Sequence, residues 1–136
     1  MKFTVHRKIL FRDCDPAGLV FYPRYFEMLN DCVEAFFGDA LGWPFQDLHQ
    51  DHAVPTARIE AGFPAPSRHG DALDFALSCS ALGATSLGLV FQARCADELR
   101  LRATSTLVLV DANGKPTRWP GAIRQAVQPF LEADPT

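Results

Sequence analysis

The stretch Pro23-Arg24-Tyr25-Phe26-Glu27-Met28-Leu29-Asn30-Asp31-Cys32-Val33-Glu34-Ala35-Phe36-Phe37 carries the clearest periodic signal in the chain. Its apolar side chains recur three or four residues apart, as one face of a helix requires; they are Tyr25, Phe26, Leu29, Cys32, Val33, Phe36 and Phe37. Pro23 is a favoured first helical residue, and Gly38 is a residue at which the helix can stop. The pattern predicts a helix of about four turns with one broad apolar face.

On either side of this helix, apolar residues alternate with polar ones, which is the pattern of half-buried strands. The predicted strands are 3–12, 55–63, 73–79, 87–93 and 101–109. Turn-forming sequences separate them, and Asn113-Gly114 is the strongest turn dipeptide. A short tail from Pro120 to Leu131 returns to helical spacing, which Pro129 limits.

The order of elements predicts the fold class. One strand and one long helix precede four strands joined by short loops, and short connections favour antiparallel neighbours. The helix and the sheet have only each other's apolar faces to pack against. We therefore expect an α+β fold over residues 1–136, a single domain with an antiparallel sheet of about five strands around one central helix. Open sheet edges favour a second copy, so a homo-oligomer is expected.

Composition excludes several classes of protein. With 136 residues, 48% of them hydrophobic and 21% charged, the chain builds one domain with a real core. A net charge of −3 gives no basic field for nucleic acid. No apolar run approaches a membrane span, and the charged start Met1–Lys8 does not resemble a signal peptide. We expect a cytoplasmic protein with reduced thiols and neither nucleic-acid nor membrane partners.

The inventory of catalytic motifs is thin. The sequence contains no G-x-S-x-G elbow, no phosphate-binding glycine loop and no H-E-x-x-H. His49 and His52 have a spacing that suits a metal on a helix, but they lie in a polar connector, so a solvated loop is the preferred interpretation. Neither a metal site nor a cofactor is expected.

The turn Asp13-Cys14-Asp15-Pro16-Ala17-Gly18 lies between the first strand and the central helix. Asp residues favour turns for local hydrogen-bonding reasons, which is the structural interpretation of this run. Two carboxylates one residue apart can also differ in exposure and titrate separately. The helix start supplies unpaired N–H groups suited to an oxyanion. A carboxylate beside such donors is the minimum equipment for acyl transfer.

The run Phe11-Arg12-Asp13-Cys14-Asp15-Pro16-Ala17-Gly18-Leu19-Val20-Phe21-Tyr22-Pro23-Arg24-Tyr25 resembles the signature of the 4-hydroxybenzoyl-CoA thioesterase family. This resemblance implies the hotdog fold, in which a long helix is wrapped by an antiparallel sheet. It also implies hydrolysis of an acyl-CoA substrate to a carboxylic acid and CoA. The implied assembly is a homodimer or homotetramer with sites between subunits.

The resemblance assigns roles to five residues of the motif. Asp15 matches the catalytic carboxylate, which attacks the thioester or activates a water. Tyr22 matches the position whose backbone N–H polarises the thioester carbonyl. Gly18 matches the glycine that lets the backbone approach the acyl group, and Tyr25 either packs in the core or lines the pocket. Asp13 has no assigned chemical step, and a role in the turn is its expected one.

Departures from the family pattern bear on the substrate. Asn30 stands where the 4-hydroxybenzoyl enzyme has an Asp near the aromatic hydroxyl, which implies a different acyl group. The phenylalanine-rich composition favours an apolar or aromatic one. The hairpin 82–86 corresponds to one that is basic in that enzyme, but it contains no Arg or Lys here. Thr85 and Ser86 remain as partners for the pantetheine arm. The candidates for the CoA phosphates are Arg68, Arg100, Arg102, Lys115, Arg118 and Arg124.

Three alternatives stay open. A second hotdog branch takes its carboxylate from the helix, which would nominate Glu27, Asp31 or Glu34, although these lean to the polar face. A non-catalytic module that binds acyl-CoA or acyl-carrier-protein thioesters would use the same scaffold. A hotdog dehydratase would need a histidine near the helix start, and no His lies between residues 7 and 48.

Overall fold

The central helix is present in the computed structural model, which describes residues 1–133, and it is longer than expected. Helix α1 spans Pro23–Ala35, and a π-helical turn at Phe36–Ala40 continues it. Gly38 therefore lies inside the helical segment, and the expectation that it ends the helix is wrong. The wider turn keeps Phe36 and Phe37 both fully buried, and this burial outweighs the conformational cost of a helical glycine.

Five strands form one antiparallel sheet, as predicted. Their order across the sheet is β1-β4-β5-β6-β3. Strand β1 is shorter than the predicted 3–12 segment, because Phe11–Asp13 form a 3-10 turn. The bounds are Phe3–Lys8 for β1, Thr56–Gly62 for β3, Ala72–Leu82 for β4, Ser86–Cys95 for β5 and Glu98–Val108 for β6.

Smaller elements close the structure around this sheet. The connector after α1 contains a four-residue helix α2 (Phe45–Leu48) and strand β2 (His52–Ala53), which pairs with β7 (Val110–Asp111). The expectation of a plain loop here is wrong, because Leu48 is fully buried and draws the segment against the core. The tail forms helix α3 (Gly121–Val127) and a 3-10 turn at Gln128–Phe130. Within residues 1–133 no helix has the length and apolarity needed to cross a bilayer.

The core lies between α1 and the inner face of the sheet. The helix contributes buried residues at helical spacing, which are Tyr25, Met28, Leu29, Cys32 and Val33. The inner positions of the central strands are also buried and include Phe75, Leu77, Leu89, Phe91, Leu101 and Ala103. Helix and sheet thus remove each other's apolar faces from water, and the expected α+β architecture is confirmed.

Strand β3 departs from its predicted half-buried pattern. Six of its seven residues are exposed, and only Ala61 is half-buried. The strand is the sheet edge beyond β6, and a cavity rather than a side chain of α1 lies beside Thr56 and Ile59. The alternation in sequence therefore predicted the strand correctly, but the predicted burial of one face of the strand is wrong.

An ion pair ties the end of β1 to the following 3-10 turn. The guanidinium of Arg7 donates two hydrogen bonds to the Asp13 carboxylate, at 3.0 and 3.2 Å, and the Leu10 amide donates a third at 2.8 Å. Asp13 is only 3% exposed. Burial alone raises the pKa of Asp13, but the Arg7 and Leu10 hydrogen bonds and the charges of Arg7 and Arg12 outweigh it, so the pKa is lowered.

Truncation of Phe36 tests the contribution of the helix end to the core. Phe36 is fully buried and makes edge contacts with the rings of Phe3, Phe37 and Phe130. Phe36→Ala should lower the free energy of unfolding by about 3–5 kcal/mol, measured by urea denaturation. The control Phe11→Ala removes a ring that is 79% exposed and should change it by about 0.5 kcal/mol or less. Equal effects would contradict this description of the core.

Neutralisation of Asp13 should change how stability depends on pH. A carboxylate with a lowered folded-state pKa stabilises the fold above its ordinary value and loses that contribution as the pH falls through the lowered one. Asp13→Asn should therefore cost about 1–3 kcal/mol at neutral pH and progressively less in acid. Urea denaturation at several pH values measures this, with exposed Asp97→Asn as the control. A cost that stays constant into acid would rule out the Asp13 pair as its source.

Candidate active site

The loop between β1 and α1 folds back on itself as a short hairpin. Cys14 and Val20 form a bridge, the Asp15 amide donates to the Leu19 carbonyl at 2.8 Å, and the Gly18 amide donates to the Asp15 carbonyl at 3.0 Å. Gly18 has a φ of +82°, which is strained for any side chain. A Cβ at this position would meet nothing within 4 Å. Glycine is thus required by the turn and not by close packing within this chain.

The two carboxylate oxygens of Asp15 are in different situations. Oδ1 accepts hydrogen bonds from the amides of Ala17 at 2.9 Å and Leu19 at 3.2 Å. Among the described residues 1–133, none donates a hydrogen bond to Oδ2. The side chain is half-buried. One oxygen therefore holds the loop together, and the other is available to a water or a substrate.

The start of α1 leaves one backbone donor open next to this loop. The Phe21 amide donates to the Asp13 carbonyl at 2.9 Å, and the Arg24 amide donates to the Phe21 carbonyl at 2.8 Å. Pro23 has no N–H. The Tyr22 N–H has no acceptor within the part of the chain that the structure describes. Its ring is 60% exposed and makes edge contacts with the rings of Phe21 and Phe63.

Tyr25 belongs to the core and not to a substrate pocket of this chain. It is 3% exposed, stacks on Phe63 at 5.2 Å, and its hydroxyl lies near Ser67. Burial raises its pKa, and the nearby Ser67 side chain opposes this rise more weakly. Of the two roles expected for Tyr25, the geometry favours packing.

A cavity of about 550 Å³ lies between α1, β3 and the α2 segment. The walls of the cavity are mostly apolar. Of the expected site residues, Asn30 alone lines the cavity. Asp15, Gly18, Tyr22 and Tyr25 are not part of the lining. The lining comprises Phe26, Leu29, Asn30, Val33, Phe45, His49, Ala53, Val54, Pro55, Thr56, Ile59, Phe91, Ser105 and Leu107.

Three polar residues that line this cavity, His49, Thr56 and Ser105, were not among the expected site residues. Ser105 occupies an inward position of β6 between Ala103 and Leu107. A polar residue among the apolar inward positions of this strand could have indicated a site from the sequence. His49 had no local signal, because the fold of α2 brings it to the cavity. Its Nδ1 donates to the Phe45 carbonyl at 2.9 Å, since a carbonyl only accepts, and its ring packs edge-on against Phe45.

Thr85 and Ser86 lie far from Asp15 within one chain. The Asp15 loop adjoins the Ala72 end of β4, whereas the hairpin 82–86 follows its Leu82 end. The rise per strand residue puts these ends about 30 Å apart. The Thr85 carbonyl accepts from the Leu109 amide at 2.8 Å, and the Ser86 carbonyl accepts from the Trp119 indole at 3.0 Å. The expected site residues therefore do not form one cluster in a single chain.

The remaining charged candidates are dispersed. Glu27, Asp31 and Glu34 are exposed, and none lines the cavity. Arg124 donates to the Gly83 carbonyl at 2.8 Å, and Arg100 is occupied by Asp71 at 2.7 Å. Among residues 1–133, no group of three or more His, Cys, Asp or Glu side chains is placed to hold a metal ion.

Solved structures share this architecture along nearly their whole length. The 1,4-dihydroxy-2-naphthoyl-CoA thioesterase of Synechocystis superimposes with a TM-score of 0.86 at 22% identity, covering 94% of this chain and 96% of its own. A gentisyl-coenzyme A thioesterase gives 0.84 at 23% identity, covering 93% and 99%. The dynemicin thioesterase gives 0.90 at 17% identity, covering 98% and 100%. These likenesses establish the hotdog fold.

A protein-family comparison extends this result from fold to family. The model of the thioesterase-like superfamily matches residues 9–127, which include the Asp15 loop, α1 and all the strands after it. The chain belongs to the thioesterase-like superfamily.

Proposed function

We propose that this protein is an acyl-CoA thioesterase that hydrolyses a CoA thioester to a carboxylic acid and free CoA. The observation that carries the proposal is the state of the Asp15 carboxylate, whose Oδ1 is anchored by two amides while Oδ2 accepts nothing from residues 1–133. The loop that carries this carboxylate leads into the helix start, where the Tyr22 amide is open. Membership of the thioesterase-like superfamily supports the same reaction class.

Two chemical courses use Asp15 in nearly the same place. In the nucleophilic course, Oδ2 attacks the thioester carbonyl carbon, the C–S bond breaks with release of the CoA thiolate, and water then hydrolyses the resulting mixed anhydride and restores Asp15. In the general-base course, Oδ2 takes a proton from a water whose oxygen attacks the carbonyl carbon; the C–S bond then breaks, and the protonated Asp15 returns the proton to the departing CoA thiolate. Neither course requires a metal or redox cofactor.

The Tyr22 N–H is proposed to stabilise the oxyanion that forms in either course. Negative charge grows on the carbonyl oxygen as the tetrahedral intermediate forms, and a fixed backbone donor at a helix start is suited to it. Because the donor belongs to the backbone, replacement of the Tyr22 ring should matter less than replacement of Asp15.

The cavity beside α1 is proposed as the chamber for the acyl group. It begins at Phe26, one helical turn beyond Tyr22, and extends along α1 to Val33. Aromatic and aliphatic walls favour an apolar or aromatic acyl group, and Asn30, His49 and Ser105 offer hydrogen bonds to ring substituents. Two of the three thioesterases named above are named for hydroxylated aromatic acyl-CoAs, which supports this class as the first to assay, while the dynemicin thioesterase binds a polyene.

Asp15→Asn tests the proposed reaction directly. The Asn carbonyl can still accept the Ala17 and Leu19 amides, so the loop should keep its shape while the reactive oxygen is replaced. Release of CoA thiol from benzoyl-, hydroxybenzoyl-, naphthoyl- and long-chain acyl-CoAs should fall by about 10²–10⁴-fold in kcat. The control Asp97→Asn changes an exposed carboxylate and should retain the wild-type rate.

Two results would contradict the proposal in different ways. Full activity of Asp15→Asn would remove Asp15 from the chemistry. A non-catalytic binding module would be indicated if the wild-type protein bound these thioesters without hydrolysing them and the Asp15→Asn variant bound them with the same affinity. Isothermal titration with a non-hydrolysable acyl-CoA thioether measures this binding.

We further propose that a second copy of the chain pairs along β3. This strand is an open edge, and Ile59 and Phe63 are 40% and 41% exposed beside it. A two-fold arrangement of antiparallel edges would join the two sheets and bring the 82–86 hairpin of one copy to the sheet end that carries the other copy's Asp15 loop. Thr85 and Ser86, and exposed Arg68, Lys115 and Arg118, remain the proposed contacts for CoA.

A charge on the β3 edge should weaken this pairing. Ile59→Lys replaces an exposed apolar side chain of this edge with a cation and should shift the protein toward monomer, measured by light scattering after size-exclusion chromatography over a dilution series. Phe11→Lys places the same charge on an exposed apolar residue away from β3 and should leave the assembly intact. A monomeric wild type, or an Ile59→Lys protein as oligomeric as wild type, would exclude β3 as the interface.

A further inference from the structure

Behind the Asp15 loop lies a chain of polar side chains that the proposed reaction does not use. It runs from Ser67 to Arg100 on β6 and from Arg100 to Asp71, and the hydroxyl of Tyr25 on α1 lies near Ser67. Ser67 is 1% exposed, and the Arg100 side chain is 13% exposed. Polar groups at this depth lose water contacts and require partners within the protein.

Arg100 binds the turn 66–71 at three points. Its Nη1 donates to the Asp71 carboxylate at 2.7 Å, to the Pro66 carbonyl at 3.1 Å and to the Ser67 hydroxyl at 3.2 Å. The same Asp71 oxygen accepts from the Arg68 amide at 2.9 Å. Arg100 Nε also contacts the Glu98 carboxylate at 2.6 Å, although too poorly aligned for a hydrogen bond. The guanidinium thus fixes the shape of this turn.

The turn 66–71 also holds the Asp15 loop. The Ser67 carbonyl accepts from the Val20 amide at 2.9 Å, and Arg68 forms a backbone bridge with Leu19. Leu19 bonds Asp15 twice, since its carbonyl accepts from the Asp15 amide at 2.8 Å and its amide donates to Oδ1 at 3.2 Å. Every step from Arg100 to the Asp15 carboxylate is therefore a direct contact.

The same turn is attached to β1 on its other side. The Ile9 amide donates to the Asp71 carbonyl at 2.7 Å, and the Gly70 amide donates to the Ile9 carbonyl at 2.9 Å. The turn is thus anchored by β1 and by Arg100 together, and only the Arg100 anchor depends on a single side chain.

We propose that Arg100 is a positioning residue, which holds the Asp15 loop in its reactive geometry through the turn 66–71. The inference rests on the proposed thioesterase function. It gives Arg100 a role different from contact with a CoA phosphate, and the two roles predict different kinetics. A phosphate contact contributes to binding throughout the reaction and appears in KM, whereas misplacement of the reactive carboxylate appears in kcat.

Arg100→Gln should lower kcat by about 10-fold or more while KM changes little, because a displacement of about 1 Å at a reacting group can cost about 10²-fold. Arg100→Lys should recover part of the rate, since an ammonium keeps the Asp71 ion pair but not the three-point geometry. Arg94→Gln is the matched control, because Arg94 is exposed and, among residues 1–133, its guanidinium hydrogen-bonds the Asp97 carbonyl alone, at 3.2 Å. It should retain wild-type kinetics.

Amide hydrogen exchange gives a readout that does not depend on activity. The Val20 amide should lose protection in Arg100→Gln and keep it in Arg94→Gln. If Arg100→Gln does not fold, Ser67→Ala serves instead, because it removes the hydroxyl bridge and leaves the carbonyl that accepts from Val20. A raised KM with unchanged kcat, or unchanged Val20 protection, would overturn the proposal. A wild type inactive on every thioester would refute the proposed function, and Val20 exchange would still decide whether Arg100 holds the loop.

Discussion

The mutual burial of α1 and the inner face of the sheet is the constraint on which the rest of the structure depends. The helix presents one apolar stripe, the central strands present one apolar face, and neither has another large partner among the described residues. Because this packing fixes the axis of α1 against β4, β5 and β6, it also fixes where the helix begins. The Asp15 loop and the open Tyr22 amide take their positions from that point.

Two carboxylates in this loop, separated by one residue, lie in different environments. Asp13 is buried, bonded through both oxygens to Arg7, and has a lowered pKa. Asp15 is half-buried and keeps one oxygen without a protein donor among residues 1–133. The charge that is fully paired stabilises the fold, and the carboxylate that is left partly unpaired is the one that we propose to react. Burial and partner count, more than residue type, separate the two roles.

Local patterns predicted the architecture well because each depends on neighbours in sequence. Periodicity located α1 and all five strands, and the Asp15 motif located the candidate catalytic loop. What failed depended on contacts distant in sequence. Gly38 is kept helical by the burial of Phe36 and Phe37, β3 is exposed because it is an edge, and His49 reaches the cavity only through the fold of α2. The Arg100 chain likewise joins residues about 30 positions apart, which no local pattern reveals.

The π-helical turn at Phe36–Ala40 has a consequence for how such a cavity can diversify. One residue more or less in a helical turn rotates everything that follows by about 100°. Here the segment that follows carries Phe45 and His49 to the cavity wall. An insertion or deletion of a single residue at this turn would therefore exchange several lining side chains at once, while the Asp15 loop at the opposite end of α1 would be untouched. Length variation at the helix end is thus a route by which the lining of this cavity can change while the Asp15 loop keeps its geometry.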